Sequence, residues 1–313
     1  MEFQELTFTH IDLLRKYYVN CNYRLCEYSA GVKLMWRHYL HPAFAQVAGC
    51  LVISNVIEGV TQFDFPIPGE EGDVDAALTA IEAYCTRRNI RPVISVVPES
   101  MAPALVTRWP KFTVLNEEAW KDYVYLAGDL ATLAGRRYSG QRNHINKFRK
   151  EHPTAVFRPL TAADEPMLQR FWQDYAQEFS KHSDTAEKEL VLAREMFAHL
   201  DTGAFRAGGM EEDGRLLGIC LAEKCGDTLV DHIEKALYSC QGVYPAMVQA
   251  FAAHYGGDCR FINREDDARD RGLRISKRQY LPTAMDSKMS FRVGSQLDLL
   301  DRVPDISCRR LAL

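Results

Sequence analysis

The chain has 313 residues, of which 47% are hydrophobic and 26% are charged, and this composition is that of a globular protein, not of a disordered or fibrous one. At roughly 100–200 residues per domain, the length predicts about two domains, each able to bury its own core. The net charge of -4 excludes a global electrostatic attraction to nucleic acid or anionic membranes, so such a partner would need a local basic patch.

The cysteines and apolar runs indicate a reduced, cytoplasmic protein. The nine Cys residues include no C-x-x-C pair and have no His at metal-ligand spacing, so we expect free thiols and no metal site. The N-terminus lacks the basic and apolar regions of a signal peptide. The longest apolar runs, such as VAGCLVISNVI, are shorter than the ~20 residues of a membrane-spanning helix, so we expect no transmembrane segment.

The first half predicts a mixed α/β unit by its hydrophobic periods. The helix after TQFDFPI begins at an Asp, which is a favourable N-cap. In chain order the predicted elements are a helix at FTHIDLLRKYYVN, strands at CLVISNVI and TQFDFPI, a helix at DVDAALTAIEAYCTRRN, a strand at PVISVVP, a short helix at MAPALVTRW and a strand at WKDYVYL.

A basic helix is predicted between the halves, in GRRYSGQRNHINKFRKEHP. Such a helix is often only a solvated surface, but this density of basic residues in an acidic protein favours an anion site, for tRNA or for an anionic headgroup. Its inward stripe is predicted to be Tyr138, Gln141, Ile145 and Phe148. The residues that we predict to bind substrate here are Arg142, Asn143, Asn146 and Lys147.

The second half repeats the plan of the first. It opens with a helix in FRPLTAADEPMLQRFWQDYAQEF, for which Thr161 is the expected N-cap. Residues 214–282 then predict two antiparallel strands, a Gly-marked turn, a long helix, a third strand, the polar elbow NREDD and a second helix, before a strand at SKMSFRV. The tail beyond about residue 294 carries only weak signals.

This order predicts an α+β (mixed α/β) fold made of two tandem N-acetyltransferase-like domains. Each would be a mixed, mostly antiparallel sheet flanked by helices. The expected boundaries are residues 1–135 for an N-terminal scaffold domain, 136–153 for the basic linking helix and 154–313 for a C-terminal domain that carries the site. The halves differ in the segment that follows a predicted strand. The second half has the polar elbow NREDD there, whereas the first half has only PES. This asymmetry predicts that the chemistry lies in the second domain.

The strand DHIEKA offers a candidate base. Because side chains alternate along a strand, His232 and Glu234 should share one face and Asp231 the other. A His and a carboxylate together can deprotonate an attacking amine or hydroxyl, and burial would raise the pKa of the carboxylate towards working pH. The alternative is a charged strand end that makes ordinary cross-strand ion pairs.

The elbow and the next helix offer substrate contacts. Polar residues directly after an apolar strand lie where open α/β sheets place their ligands, which favours a role for Asn263, Arg264 and Glu265. Asp266 would serve substrate binding, or it would simply favour the positive end of the next helix. On that helix Lys277 is the preferred contact for an anion, the alternative being a solvated basic face.

The turn before the long helix argues against coenzyme A. A coenzyme A acetyltransferase offers several glycines here, whose backbone N–H groups bind pyrophosphate. This chain has Ser239–Cys240–Gln241–Gly242–Val243–Tyr244, with a single Gly and a bulky Tyr244 at the position that needs the smallest side chain. Coenzyme A is therefore less expected as a cofactor, and no other cofactor is implied.

The segments RNHINKF, HIEKA and INREDD followed by GLRISKRQYLP resemble those of a bacterial protein family related to the C-terminal domain of phosphatidylglycerol lysyltransferase. The resemblance extends from the CEYS and MWR segments to about residue 290. It implies two tandem N-acetyltransferase-like domains, akin to those of Fem-type peptidyltransferases, and transfer of an aminoacyl group from aminoacyl-tRNA. Tyr280, within KRQYLP, joins the expected substrate-binding residues on this resemblance.

Two features depart from the relatives. The lysyltransferase itself carries a membrane-spanning region ahead of this domain, so a lipid acceptor is less supported than aminoacyl transfer in general. The wider acetyltransferase superfamily often has a Tyr acid where this chain has Ile275. The expected reaction is aminoacyl transfer from an activated ester to an amine or hydroxyl of a small molecule, peptide or lipid. The alternatives are a coenzyme A dependent N-acyltransferase and a non-catalytic binding protein.

Overall fold

A computed structural model describes residues 1–179 and 186–294 of the chain. The chain forms two compact units, neither of which is continuous in sequence. Within the described residues, unit 1 contains Met1–Asp122, Asp266–Arg271 and 285–294, and unit 2 contains Tyr123–Glu265 and Gly272–Ala284. The boundaries expected at residues 135 and 153 both fall inside unit 2. The tail beyond residue 294 lies outside the described residues.

The first part of the chain runs from β1 to β7, with short 3₁₀ turns at Phe8–His10, Glu99–Met101 and Glu118–Trp120. Its elements are β1 (Gln4–Glu5), α1 (Ile11–Tyr18), α2 (Ala30–Met35), α3 (Arg37–Leu40), β2 (Ala43–Val47), β3 (Cys50–Ile57), β4 (Val60–Asp64), β5 (Ile67–Pro68), α4 (Val74–Arg88), β6 (Val93–Val97), α5 (Ala102–Arg108) and β7 (Phe112–Leu115).

The remaining part runs from β8 to β15, with 3₁₀ turns at Arg136–Tyr138, Ala162–Asp164 and Leu200–Thr202. Its elements are β8 (Asp122–Leu126), α6 (Ala127–Thr132), α7 (Ser139–Glu151), β9 (Val156–Leu160), α8 (Glu165–Phe179), α9 (Ala186–Phe197), β10 (Arg206–Glu212), β11 (Arg215–Cys225), β12 (Thr228–Ala236), α10 (Val243–Tyr255), β13 (Phe261–Asn263), α11 (Arg271–Gln279), β14 (Ala284–Asp286) and β15 (Met289–Val293).

Local capping explains where two predicted helices begin. Asp73 accepts the backbone N–H of Ala76 at 2.9 Å and so starts α4, as the sequence predicts. Thr161 forms a reciprocal capping box with Asp164, whose carboxylate accepts the Thr161 N–H at 2.7 Å. This box caps the 3₁₀ turn that leads directly into α8, so the expected position of Thr161 is confirmed.

In unit 1 the sheet has the strand order β1-β2-β3-β4-β6-β15-β7, with β5 pairing beside β3. Only a short parallel pair, β4 with β6, interrupts its antiparallel ladders. The central strands are almost wholly buried: Leu51, Val52 and Ile53 of β3 have no exposed surface. A strand buried on both faces carries continuous apolar residues rather than alternating ones.

In unit 2 the sheet has the order β14-β8-β13-β12-β11-β10-β9. It also contains one parallel pair, β12 with β13, next to antiparallel ladders among β9 to β12 and between β13 and β8. Both sheets are thus mixed and mostly antiparallel and are accompanied by helices. This confirms the predicted fold class and agrees with a tandem of N-acetyltransferase-like units.

The last strand of each sequence half lies in the other half's sheet. WKDYVYL, predicted to close the first half, forms β8 and lies between β13 and β14. SKMSFRV, predicted to close the second half, forms β15 and lies between β6 and β7. Hydrophobic period identifies a strand but not its neighbours, which explains why the sequence placed both strands in the wrong sheet.

Within the described residues, none of the helices combines the length and the apolar character needed to cross a membrane.

Candidate active site

The two parallel strands of unit 2 separate after a short pairing, and this separation defines the candidate site. Their register couples Thr228–Val230 only to Phe261–Asn263. Beyond Val230, β12 continues to Ala236, while the chain after Asn263 turns into the elbow NREDD. Ligands of open α/β sheets bind where strands end and the chain turns away, so side chains from both strands converge at this opening.

A β-bulge at His232 changes which side chains share a face. In the β11–β12 ladder, Leu221 pairs with Ile233 and Ala222 with Asp231, so His232 is an extra residue of β12. An extra residue reverses the alternation beyond it. Asp231 therefore shares a face with Glu234 and hydrogen-bonds to it. The expectation that Asp231 and Glu234 lie on opposite faces is wrong, because a bulge cannot be read from a period of two.

Glu234 is the anchor of a buried arginine. Arg264 donates from Nε to Oε1 at 2.9 Å and from Nη2 to Oε2 at 2.5 Å, and the side chains are 2% and 10% exposed. Burial opposes ionisation of Glu234, but the Arg264 guanidinium together with hydrogen bonds from Asp231 and Tyr244 lowers its pKa to about 2. A carboxylate so strongly ionised is a weak base, and in the structure Glu234 binds Arg264.

Three tyrosine rings enclose the guanidinium of Arg264. Its central carbon lies 4.7 Å from the ring centre of Tyr280, 5.7 Å from that of Tyr125 and 5.9 Å from that of Tyr244. The Tyr244 hydroxyl donates to Glu234 and accepts from Arg264. Cation–π contact and the bidentate carboxylate together fix the position of the arginine. Sequence reasoning named Tyr280, missed Tyr125 and treated Tyr244 only as an obstacle.

His232 forms a second buried pair, with Glu265. Its side chain has no exposed surface, and Nδ1 lies 3.1 Å from Oε1 of Glu265. Since a carboxylate only accepts, Nδ1 carries the hydrogen, and in the neutral ring Nε2 is then an acceptor. Among the described residues, Nε2 of His232 has no hydrogen-bond partner, and neither has Nη1 of Arg264. The site thus holds a buried acceptor and a buried donor that the protein itself does not satisfy.

Two other predicted residues shape the elbow. Oδ1 of Asn263 accepts the backbone N–H of Glu265 at 2.7 Å, which supports the left-handed conformation of Glu265 at φ 55°. The ammonium of Lys277 donates to the carbonyl oxygens of Arg264 at 2.5 Å and of Glu265 at 3.3 Å. Lys277 is buried, so it holds the elbow backbone and does not present the anion contact that the sequence favoured.

Asp266 belongs to unit 1, whereas Asn263, Arg264 and Glu265 belong to unit 2. Its carboxylate lies 3.0 Å from the ammonium of the buried Lys288, which also contacts Glu27 at 3.0 Å, Asp122 at 2.7 Å and Cys26 at 3.2 Å. Cys26, Glu27 and Asp122 are spaced to bind a metal ion. The Lys288 ammonium lies against all three, so a protein cation already balances these donors. Sequence reasoning missed this cluster, although CEYS contains two of its members.

Helix α7 is the predicted basic helix. Its expected inward stripe, Tyr138, Gln141, Ile145 and Phe148, is buried, which confirms the predicted face. Arg142 is half-buried and donates to the carbonyl oxygens of Leu133 and Gly135, so it caps the backbone that precedes α7. Asn143, Asn146 and Lys147 are exposed, and Lys147 also donates to Gln241 at 2.7 Å.

The start of α10 offers few donors to a pyrophosphate. Gly242 lies at φ 82°, and a Cβ there would come within 2.5 Å of the His144 carbonyl oxygen, so close packing of α7 requires this glycine. Val243 N–H already donates to the Cys240 carbonyl at 3.3 Å, and Pro245 has no N–H. The glycine therefore serves helix packing, and at the first positions of α10 the Val243 N–H is already bonded while Pro245 has none to offer.

Comparison with solved structures gives close matches in fold. A conserved protein of unknown function from Bacteroides thetaiotaomicron is 24% identical, with a TM-score of 0.84 over 94% of this chain and 100% of that one. L-PGS from Bacillus licheniformis is 9% identical, with a TM-score of 0.67 over 95% of each chain. The C-terminal domain of a putative lysylphosphatidylglycerol synthetase from Agrobacterium fabrum is 10% identical, with a TM-score of 0.65 over 97% of this chain and 94% of that one.

Among curated proteins, no sequence matches the chain. A family model does: that of the C-terminal region of phosphatidylglycerol lysyltransferase matches residues 21–289. The match includes CEYS, the bulged strand DHIEKA and the elbow NREDD, which are the segments that build the buried clusters described above. The chain therefore belongs to the family of the phosphatidylglycerol lysyltransferase C-terminal domain.

Proposed function

We propose that the protein is an aminoacyltransferase that moves an aminoacyl group from an activated ester, such as aminoacyl-tRNA, to an amine or hydroxyl acceptor. The observation that carries this proposal is the buried His232–Glu265 pair, whose Nε2 acceptor has no protein partner, beside the anchored Arg264, whose Nη1 donor has none either. An acceptor and a donor held in a buried opening suit a reaction that removes a proton and develops negative charge on oxygen. The name of the family supports the aminoacyl class.

In this proposal each buried pair has one task. His232 takes the proton of the attacking amine or hydroxyl through Nε2 and returns it to the ester oxygen that leaves as a hydroxyl when the acyl–oxygen bond breaks, while Glu265 holds the ring by Nδ1. Arg264 directs Nη1 at the carbonyl oxygen of the ester, where charge develops. Glu234 and the three tyrosines fix Arg264 before the substrate arrives, so that no reorganisation is needed in the transition state.

The donor is proposed to contact the exposed side of α7. Asn143, Asn146 and Lys147 are exposed there, with Arg149 and Lys150 in the last turn. Such a surface suits the repeated phosphates of a nucleic acid. A coenzyme A donor has less support, because at the start of α10 the Val243 N–H is already bonded, Pro245 has none, and the single Gly242 is packed against α7. The acceptor would be a small molecule, a peptide or a lipid.

Transfer from radiolabelled aminoacyl-tRNA tests the site. We expect His232→Gln to lower the rate of transfer about 100-fold or more, since general-base catalysis contributes roughly 10²–10⁴. The assay measures label that leaves tRNA and appears on amines, peptides or a total lipid extract. His254→Gln, which changes an exposed His of α10, is the matched control and should transfer like the unmodified protein. Equal rates for His232→Gln and the control would remove His232 from the reaction.

Salt-dependent binding of tRNA tests the donor surface. The double change Lys147→Glu and Lys150→Glu should weaken binding and reduce the slope of log affinity against log salt by about 1 for each phosphate that these lysines neutralise. Lys16→Glu on α1, an exposed position with the same change of charge per residue, should leave both quantities unchanged. A binding curve that the double change leaves unaltered would show that α7 does not bind the donor.

A further inference from the structure

Asp231 is a buried acid with no role in the reaction proposed above. It is 7% exposed and lies on β12, where the bulge at His232 turns it towards Glu234. The charges of Glu234, Arg264 and Glu265 act on its carboxyl group. Cys220 of β11 is close enough for its thiol to interact electrostatically with Asp231. Burial, followed by the neighbouring charge of Glu234, raises the pKa of Asp231 well above its ordinary value.

The shared hydrogen bond places one proton between two carboxyl groups. Arg264 holds Glu234 in its ionised form, so the proton of the pair stays on Asp231 and is donated to Glu234. The remaining oxygen of a protonated carboxyl can only accept. Oδ1 of Asp231 has no hydrogen-bond partner among the described residues, although the atom is buried.

Three unsatisfied atoms therefore lie on residues that the chain and the buried pairs connect: Asp231 adjoins His232 in β12 and hydrogen-bonds to Glu234, which binds Arg264. Oδ1 of Asp231 and Nε2 of His232 are acceptors, and Nη1 of Arg264 is a donor. A buried polar atom without a partner costs about 1–3 kcal/mol, so three together indicate a ligand that satisfies them. The carbonyl oxygen of an ester matches Arg264, and the attacking N–H or O–H matches His232. Neither of these substrate groups supplies a hydrogen-bond donor to Oδ1 of Asp231.

We infer that Asp231, as a neutral acid, determines specificity for the aminoacyl group by accepting a hydrogen bond from its α-amino group. The inference rests on the proposed function, since that function supplies the carbonyl group and the nucleophile that satisfy the other two atoms. An acyl group without the amine leaves Oδ1 buried and unsatisfied, which penalises the wrong substrate. The buried Asp231 thus selects aminoacyl over plain acyl groups and transfers no proton itself.

Binding of small analogues tests this inference without transfer. The protein is melted in the presence of a panel of amino acid amides and of the matching deamino amides, in which hydrogen replaces the α-amino group. We expect at least one amino acid amide to raise the melting temperature and its deamino counterpart to have no effect. No shift with any amide, or equal shifts with both members of a pair, would overturn the inference.

Two substitutions separate a neutral acid from a charged one. Asp231→Asn keeps a donor for Glu234 and an acceptor for the ligand, so it should retain the preference for the amine within about threefold. Asp231→Leu removes both and should lower that preference about tenfold, the equivalent of one neutral hydrogen bond. Loss of the preference in a folded Asp231→Asn protein would show that Asp231 acts as a charge and would refute the inference. The Asn variant and the analogue pairs decide the matter even where the Leu variant does not fold.

Transfer from chemically acylated tRNA distinguishes the inference from the function on which it rests. If the protein discriminates between amides but transfers no aminoacyl group, the proposed function fails and the assignment of Asp231 stands. If it transfers aminoacyl and deamino acyl groups from tRNA at equal rates, the proposed function stands and the assignment of Asp231 fails.

Discussion

The buried guanidinium of Arg264 is held in place by a carboxylate and by aromatic rings. A guanidinium presents a planar fork that matches a carboxylate, and Glu234 accepts two of its N–H groups. The rings of Tyr125, Tyr244 and Tyr280 lie within 6 Å of its central carbon. Lysine, with a single point charge on a flexible stem, could not satisfy this arrangement, so even the closest substitution changes the site.

Removing the guanidinium should destabilise unit 2. Arg264→Met leaves Glu234 buried without its cation, and we expect the free energy of unfolding to fall by about 3–5 kcal/mol in urea titrations at neutral pH. The double change with Glu234→Leu should recover part of this loss, because it removes the unpaired charge. The stabilisation from Glu234 is complete above its ordinary pKa of 4.5 and is lost as pH falls towards about 2. A single variant as stable as the unmodified protein would contradict this account.

At this scale the sequence located polar residues that the structure buries in pairs, but it did not predict the pairing. His232, Arg264 and Glu265 could be named because polar residues interrupt apolar strands there. The partnership of Asp231 with Glu234 depends on a bulge, which leaves no mark in the hydrophobic period. Tyr125 could not be found either, because it reaches the site from a strand of the other sequence half.

Lys288, just before β15, ties together segments of unit 1 that are distant in sequence. Its ammonium contacts Glu27 in the CEYS segment, Asp122 at the start of β8 and Asp266 in the elbow. Burial disfavours the ammonium, but the carboxylates, with Asp122 foremost, keep the pKa of Lys288 well above its ordinary value. One cation thus neutralises part of a buried acidic cluster.

Lys288→Met should be among the more damaging single changes in unit 1. It removes the ammonium that Glu27, Asp122 and Asp266 contact, and we expect a loss of about 3–5 kcal/mol in the free energy of unfolding. Chemical denaturation followed by circular dichroism measures it. Lys224→Met, which removes a partly exposed lysine paired with Asp258, is the matched control and should cost about 1 kcal/mol or less. Equal effects of the two changes would show that burial of the cluster does not matter.

Over the whole molecule, the exchange of β8 and β15 makes the halves interdependent. Without β15, the strands β6 and β7 of unit 1 lose the strand that lies between them, and without β8 the same holds for β13 and β14. A sheet that lacks an inner strand exposes two edges of unpaired N–H and C=O groups. Neither half of the sequence therefore contains all the strands of a sheet.

Expression of the halves as fragments 1–135 and 136–313 tests this interdependence. Each fragment alone should lack cooperative thermal unfolding and should aggregate, while coexpression of both should restore a soluble complex with one cooperative transition. Calorimetry and size-exclusion chromatography are the measurements. If either fragment alone unfolds cooperatively at the temperature of the intact chain, the exchange of strands is not essential to the fold.

The order of helices and strands along 214–282 could be predicted because each element has a clear period and clear ends. The repetition of that order also gave the fold class. The unit boundaries could not be predicted in the same way, since they depend on which strands pair, and pairing is decided by packing of side chains far apart in sequence.

The late position of β15 has a consequence for synthesis of the protein. The ribosome releases this strand after all the other described strands, yet its partners β6 and β7 emerge much earlier. The nascent N-terminal sheet therefore has two open edges until β15 emerges, and during that interval the unpaired N–H and C=O groups favour aggregation.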